Sequence, residues 1–325
     1  MGEFELIERF FKQPAPPATE SIALGIGDDC ALLRPAPGMQ LAVSSDMLVE
    51  GRHFFAGVDP AALGHKALAV NLSDLAACGA EPLAFTLALA LPPERARAHA
   101  WLAAFAHGLR ALADAHGCPL VGGDTTAGPL NLCITVLGQV PAGQALRRDG
   151  AQPGDELWVS GTLGDARLAL RSEIALAPAQ LAAARQRLER PTPRLSLGRA
   201  LRGIATSCID LSDGLAGDVG HILKASGVGA VIDADAAASL ISPGVLPPSS
   251  ETLDLRRHAV LVGGDDYELA FTAPASARPA VRAAARASAT PVARVGRITA
   301  GAGLTVTDAQ GQPLPGAFAS FDHFG

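Results

Sequence analysis

Apolar positions near the start of the chain recur at helical spacing. Phe4, Ile7, Phe10 and Phe11 share one face, so Glu3–Phe11 is predicted to be a short amphipathic helix. A Pro-rich loop, Gln13–Pro17, follows. Leu24–Asp29 and Gln40–Asp46 are short apolar runs entering turns and are expected as strands. Pro60–Ala77, rich in Ala and Leu, is expected as a long helix. Ala84–Leu91 has the continuous apolar character of a buried strand, and Glu94–His116 that of a helix stopped by Gly117. Leu120–Val121 and Leu130–Val140 complete the strands of the first half.

Gly, Pro and Asp then cluster between apolar segments from Asp149 to Asp155, which marks a boundary between domains at 1–148 and 149–325. Beyond it, Leu157–Ser160, Val228–Ile232, Ala259–Val262, Glu268–Thr272 and Val292–Ile298 are expected strands. Gly164–Arg171, Pro178–Leu188, Leu197–Ile204, Ala216–Ala225 and Pro279–Ser288 are expected helices. Ala236–Asp254, with its Pro and Ser, is expected as a loop. Helices and strands mixed in both halves imply an α/β (α+β) fold of two domains, which suits a chain of 325 residues.

Composition narrows the function classes. Apolar residues make up 49%, enough to build cores, which excludes global disorder. The net charge of −6 and the lack of any Lys/Arg block exclude the basic stripe of a nucleic-acid binder. No apolar run is long enough to cross a bilayer, and Met1–Phe11 lacks the basic start and apolar core of a signal peptide. Five scattered cysteines without a C-x-x-C pair point to a reducing cytoplasm and to small buried thiols, not to disulfides or zinc.

The chemistry lies in where the acidic residues sit. Gly25–Asp29, Ser44-Ser45-Asp46, Asn71–Asp74, Gly122–Thr126, Asp210–Gly214 and Gly263–Glu268 each place a carboxylate in or at the end of an apolar element. Leu-Val-Gly-Gly-Asp occurs twice, at 120–124 and 261–265, and Leu-Ser-Asp at 72–74 and 211–213. They read as one local device used twice, an apolar element delivering an acid. Glycines at strand ends let backbone N–H groups approach a phosphate, and carboxylates with hydroxyls are hard ligands for Mg²⁺. Any one Gly-Asp is also an ordinary turn, and Asp74 could face solvent or pair with an Arg. Six such clusters in one chain favour a phosphate site with several metal ions. No lysine stands in Gly-Lys-Ser/Thr, so a P-loop is excluded; protein-kinase motifs and a G-x-S-x-G elbow are absent as well.

These segments, with Ser44–Phe54, Lys66–Leu75 and Phe321–Phe324, resemble the thiamine-monophosphate kinase family in order along nearly the whole chain. The resemblance implies the two-domain fold of the aminoimidazole ribonucleotide synthetase superfamily, with N-terminal domains pairing in a homodimer and ATP bound between the domains. It implies Mg²⁺-assisted, direct in-line transfer of the γ-phosphoryl of ATP to thiamine monophosphate. Carried over by position, Asp29, Ser44, Ser45, Asp46, Asp74, Asp124, Asp210 and Asp213 would bind Mg²⁺. Gly122, Gly123, Arg148 and Ser212 would contact ATP, and His53, Asp265 and Phe321 would meet thiamine monophosphate. Outside the resemblance, Arg148 is equally a surface Arg, His53 a packed polar residue and Phe321 a core anchor. The family usually has Glu where this chain has Asp265, one methylene shorter. Rival readings are a sister synthetase such as selenophosphate synthetase, a metal-dependent phosphohydrolase, and a non-catalytic nucleotide-binding module. Residues 12–24 lack the reactive Cys of the first.

Overall fold

The computed structural model describes residues 3–12, 21–170 and 176–315. The chain forms two compact units, one of Met1–Leu75 with Ala80–Gly143, the other of Ala76–Gly79 with Gln144–Gly325.

In the first unit, α1 (Glu3–Leu6) runs into one π-helical turn, Ile7–Phe11. A small hairpin pairs β1 (Ile22–Leu24) with β2 (Leu32–Leu33). The main sheet has four strands: β3 (Met39–Val49), β4 (Glu81–Leu91), β5 (Leu120–Ala127) and β6 (Asn131–Pro141), in the order β3-β6-β4-β5. β3 and β6 pair antiparallel along their full length, from Met39↔Pro141 to Val49↔Asn131. Side chains alternate across a strand, and on β6 Leu132, Ile134 and Val136 are buried while Cys133, Thr135 and Leu137 are less so. The helices of this unit are α2 (Pro60–Ala77), α3 (Pro93–Arg97) and α4 (His99–Ala115). The helix expected over Glu94–His116 is thus broken at Ala98. α2 and α4 touch backbone to backbone: a Cβ on Gly64 would lie 2.1 Å from the Phe105 carbonyl oxygen, and one on Gly108 1.9 Å from that of Ala61.

The second unit has a six-stranded sheet of β7 (Glu156–Ser160), β8 (Ser207–Asp210), β9 (Gly229–Asp233), β10 (Leu269–Ala273), β11 (Val292–Thr299) and β12 (Gly303–Thr307), ordered β12-β9-β11-β7-β10-β8. Only β12 and β9 run parallel. Its helices are α5 (Asp165–Leu170), α6 (Pro178–Glu189), α7 (Leu195–Ala200), α8 (Leu215–Ser226), α9 (Ala234–Ala238), α10 (Leu253–Val262) and α11 (Arg278–Ala287). Val159, Leu163, Val219, Ile222, Ile232 and Leu261 lie in one buried apolar cluster.

Further expectations are corrected. Ala259–Val262 is the last turn of α10, not a strand. Ala259, Val260 and Leu261 are its buried face, and the turn before supplies Arg256, whose guanidinium donates to the Leu246 and Ala238 carbonyls. Gly122–Thr126 does not follow a strand but lies inside β5, hydrogen-bonded parallel to β4. Of the loop expected at 236–254, residues 239–252 carry no helix or strand, while its two ends belong to α9 and α10. The Gln13–Pro17 loop lies outside the described residues.

Candidate functional site

In the first unit, a cavity of about 640 Å³ gathers Gly122, Gly123 and Asp124 of β5 with Gly27, Asp28 and Asp29; Phe11 and Lys12 close part of its wall. Gly123 has φ of 146°, and a Cβ there would lie 1.9 Å from the Leu87 carbonyl oxygen, so only glycine fits between β4 and β5. The Asp29 N–H donates to Asp28 Oδ1 at 2.9 Å. Asp28, Asp29 and Asp124 are all exposed. The nearest cation on the wall, Lys12, is held by Glu8 at 2.6 Å. Such a wall repels phosphates unless cations accompany them.

Ser44, Asp46 and Asp74 form a second group in the same unit. Ser44 Oγ donates to Asp74 Oδ2 at 2.5 Å, tying β3 to α2. The Asp46 N–H donates to Asn71 Oδ1 at 3.1 Å, and Asn71 Nδ2 donates to the Ala67 carbonyl at 3.0 Å. Asp74 on its Ala-rich helix therefore neither faces open solvent nor merely pairs with an Arg: it meets the sheet. The Asp46 carboxyl is pushed up to about 6, first by burial and then by the charge of Asp74. Ser45 is not brought into this group. Strand alternation turns it to the opposite face of the sheet, where its hydroxyl meets Thr135 Oγ1 at 2.9 Å and donates to the Ile134 carbonyl at 3.2 Å.

His53 lies in the turn after β3. Its Nδ1 accepts the Val49 N–H at 3.0 Å, so the neutral ring carries its proton on Nε2. Its carbonyl accepts from Lys66 Nζ at 3.2 Å; Lys66 itself is buried on α2.

In the second unit, β8 ends at buried Asp210 and the chain turns through Leu211–Gly214 into α8. The Asp213 N–H donates to Asp218 Oδ2 at 3.0 Å. Burial pushes the Asp218 carboxyl up to about 7, opposed by backbone donors of Ser212–Gly214. The Gly263–Glu268 turn lies against this segment. Asp265 N–H donates to the Ser212 carbonyl at 2.9 Å, Tyr267 N–H to that of Leu211 at 2.8 Å, and Leu211 N–H to that of Glu268 at 2.8 Å. Asp265 and Tyr267 are held at φ of 66° and 51°, a region that side-chain-bearing residues avoid. Asp266 is buried and accepts the Gly164 N–H at 3.0 Å; burial keeps its carboxyl well above the usual range. Arg148 is exposed, and its carbonyl accepts from Ser226 Oγ at 2.8 Å. Phe321 lies outside the described residues.

The sequence placed Glu268 in an acidic cluster but gave it no role, and drew no attention to Arg187, Arg194 or Asp218. Glu268 is fully buried and bound by both arginines, and Asp218 holds the turn that carries Asp213. An acid in the first turn of α8, just after Asp-Gly, is the one signal that could have found Asp218. Nothing local marks the arginines.

The residues fit a hard divalent cation. Among the described residues no three His, Cys, Asp or Glu side chains converge into a ready cage. Mg²⁺ is commonly held by only one or two carboxylates, with water and substrate phosphate completing the shell. Burial first and then the charge of Asp74 raise the Asp46 carboxyl, and a cation bound there would relieve both.

Comparison with known proteins agrees along the chain. Residues 27–140 match the family described as AIR synthase related protein, N-terminal domain, and residues 152–309 its C-terminal domain. The thiamine-monophosphate kinase of Salmonella typhimurium is 44% identical over 99% of this chain and 98% of its own length. The crystal structure of thiamine-monophosphate kinase from Stenotrophomonas maltophilia K279a superposes with a TM-score of 0.82 at 48% identity, covering 91% of this chain and 93% of that one. AaThiL complexed with AMPPCP and TMP superposes with a TM-score of 0.73 at 28% identity, covering 90% and 89%.

Proposed function

This chain belongs to the thiamine-monophosphate kinase family, and on that premise we propose that it transfers the γ-phosphoryl of ATP to thiamine monophosphate, giving thiamine diphosphate and ADP. The observation that carries the reading to this chain's own residues is the cavity joining Gly122-Gly123-Asp124 to Asp28-Asp29. Bare backbone at the two glycines admits a phosphate closely, and carboxylates surround it. The ligands of AaThiL, AMPPCP and TMP, are a nucleotide and an acceptor suited to this chemistry.

In the reaction, a phosphate oxygen of thiamine monophosphate attacks the γ-phosphorus in line as the bond to the β-phosphate oxygen breaks. The acceptor is already an anion, so no general base is required, and positioning and charge carry the catalysis. We assign Gly122, Gly123, Arg148 and Ser212 to ATP, Arg148 through its planar donor fork. His53, Asp265 and Phe321 are assigned to thiamine monophosphate, His53 as an Nε2 donor. Asp29, Ser44, Ser45, Asp46, Asp74, Asp124, Asp210 and Asp213 are assigned to Mg²⁺, Ser45 only through its backbone carbonyl because its hydroxyl faces away. Mg²⁺ held by these residues would neutralise phosphate charge. We assign nucleotide and metal binding and dimerisation to residues 1–148, and the remaining site residues to 149–325.

A homodimer in the cytoplasm is part of the proposal. Its support is the row Leu41, Val43 and Met47 on edge strand β3, 48%, 58% and 53% exposed. A bare apolar edge is a surface that proteins cover.

The test is incubation with ATP, Mg²⁺ and thiamine monophosphate, followed by chromatography. Equimolar ADP and thiamine diphosphate, both lost on chelation, are expected. ADP without thiamine diphosphate would replace the kinase with a hydrolase or a sister synthetase.

A further inference from the structure

We propose that Glu268, gripped by Arg187 and Arg194, is a positioning residue for phosphoryl transfer. It sets the Gly263–Glu268 turn that presents Asp265 and, through that turn, the Ser212–Asp213 segment. The inference rests on the kinase reading above and deepens it.

Glu268 has no exposure, yet it receives four hydrogen bonds from charged or polar groups. Its Oε2 accepts from Ser160 Oγ and Arg194 Nε, both at 2.6 Å. Its Oε1 accepts from Arg187 Nη2 at 2.8 Å and Arg194 Nη2 at 2.5 Å. Arg194 therefore holds both oxygens in a fork, which fixes the plane of the carboxylate as well as its place. Ser160 Oγ also accepts the Leu269 N–H at 2.9 Å, so the start of β10 is locked by the same group. Space for the carboxylate is reserved by Gly161, where a Cβ would lie 2.1 Å from Glu268 Oε1.

The turn that Glu268 closes is not one the chain would adopt unaided. Asp265 and Tyr267 both have positive φ, and such backbone persists only where its surroundings over-determine it. Three backbone hydrogen bonds then join it to Leu211 and Ser212. The approach is close enough that a Cβ on Gly264 would lie 2.3 Å from the Ser212 carbonyl oxygen. The turn assigned to thiamine monophosphate and the segment assigned to nucleotide and metal are thus one stapled piece, with the ion cluster as its anchor. Packing alone does not call for such an anchor, because apolar groups of similar volume stabilise an interior at least as well as a buried ion network. What the network adds is direction.

The variants that separate the two roles are Glu268→Gln, Arg194→Lys, Arg194→Ala and, as a control, Arg278→Ala. Arg278 pairs with Glu156 in the same unit and touches neither segment. Thermal midpoints are measured first. KM for ATP and for thiamine monophosphate, and calorimetric binding of thiamine monophosphate, are then read well below each midpoint. Glu268→Gln should raise both KM values about tenfold or more, since small misplacements of positioned groups are costly. Arg194→Lys should recover part of what Arg194→Ala loses. Arg278→Ala should lower the midpoint and leave both KM values unchanged. A folded Glu268→Gln with both wild-type KM values overturns the proposal. Should that variant not fold, Arg194→Lys with a lowered midpoint and wild-type KM values overturns it equally. Absence of turnover in the wild type would instead overturn the kinase reading.

Discussion

Asp46→Asn should make the metal-free protein more stable at alkaline pH while abolishing its activity. The Asp46 carboxyl is raised from 3.8 to about 6 by burial and by Asp74. A raised carboxyl binds its proton more tightly in the folded chain than in the unfolded one. Stability therefore falls as pH climbs from about 4 to about 6 and stays reduced above that range. A shift of roughly two units corresponds to about 3 kcal/mol as an upper bound, and screening of the half-buried side chain brings the expectation to ~1–3 kcal/mol. Asn cannot ionise, so the variant avoids this loss. Its backbone N–H keeps the bond to Asn71. At about 2 °C per kcal/mol for a chain of this size, the midpoint should rise roughly 2–6 °C. The assay is thermal unfolding of both proteins in chelator at pH 4 and pH 8, then at pH 8 with Mg²⁺ and ADP. The gain should appear at pH 8 and vanish at pH 4, and the ligands should stabilise the wild type more than the variant. A variant no more stable than wild type at pH 8, or equally more stable at both pH values, would refute the electrostatic argument.

Gly123→Ala must open the gap between β4 and β5 or leave φ of 146°, so a loss of about 2 kcal/mol or more is expected, with weaker ATP binding by calorimetry. Asp265→Glu should lower KM for thiamine monophosphate by restoring reach, while losing up to about 1 kcal/mol at φ of 66°, where Asp is better tolerated than Glu. Unchanged KM would mean that this side chain does not meet the substrate. Val43→Asp should convert dimer to monomer in light scattering, because it puts a charge in the exposed apolar row of β3.

Much of the fold was legible because long elements state their own period. Ala84–Leu91 is an apolar run interrupted only by Thr86, and Pro60–Ala77 stays rich in Ala and Leu throughout although it contains Gly64. The errors cluster where five residues had to decide alone. Leu-Val-Gly-Gly-Asp is part of a parallel strand at 120–124 and the end of a helix at 261–265. At the first place, pairing with β4 extends the backbone through both glycines. At the second, the residues ahead form a helix anchored by buried Arg256, and glycine ends it. The two copies are therefore not one device. The site divides in the same way. A carboxylate in an Ala-rich helix is conspicuous in any one-dimensional reading, and Asp74 does meet Ser44 and Asp46. Glu268 lies in an equally acidic stretch, but its partners Arg194 and Arg187 come from 74 and 81 residues away, Arg187 on helix α6 and Arg194 in the Pro-rich link between α6 and α7. Residue type announces which groups can do chemistry. The groups that aim them are chosen by tertiary packing, so a positioning residue such as Glu268 becomes visible only once the chain is folded.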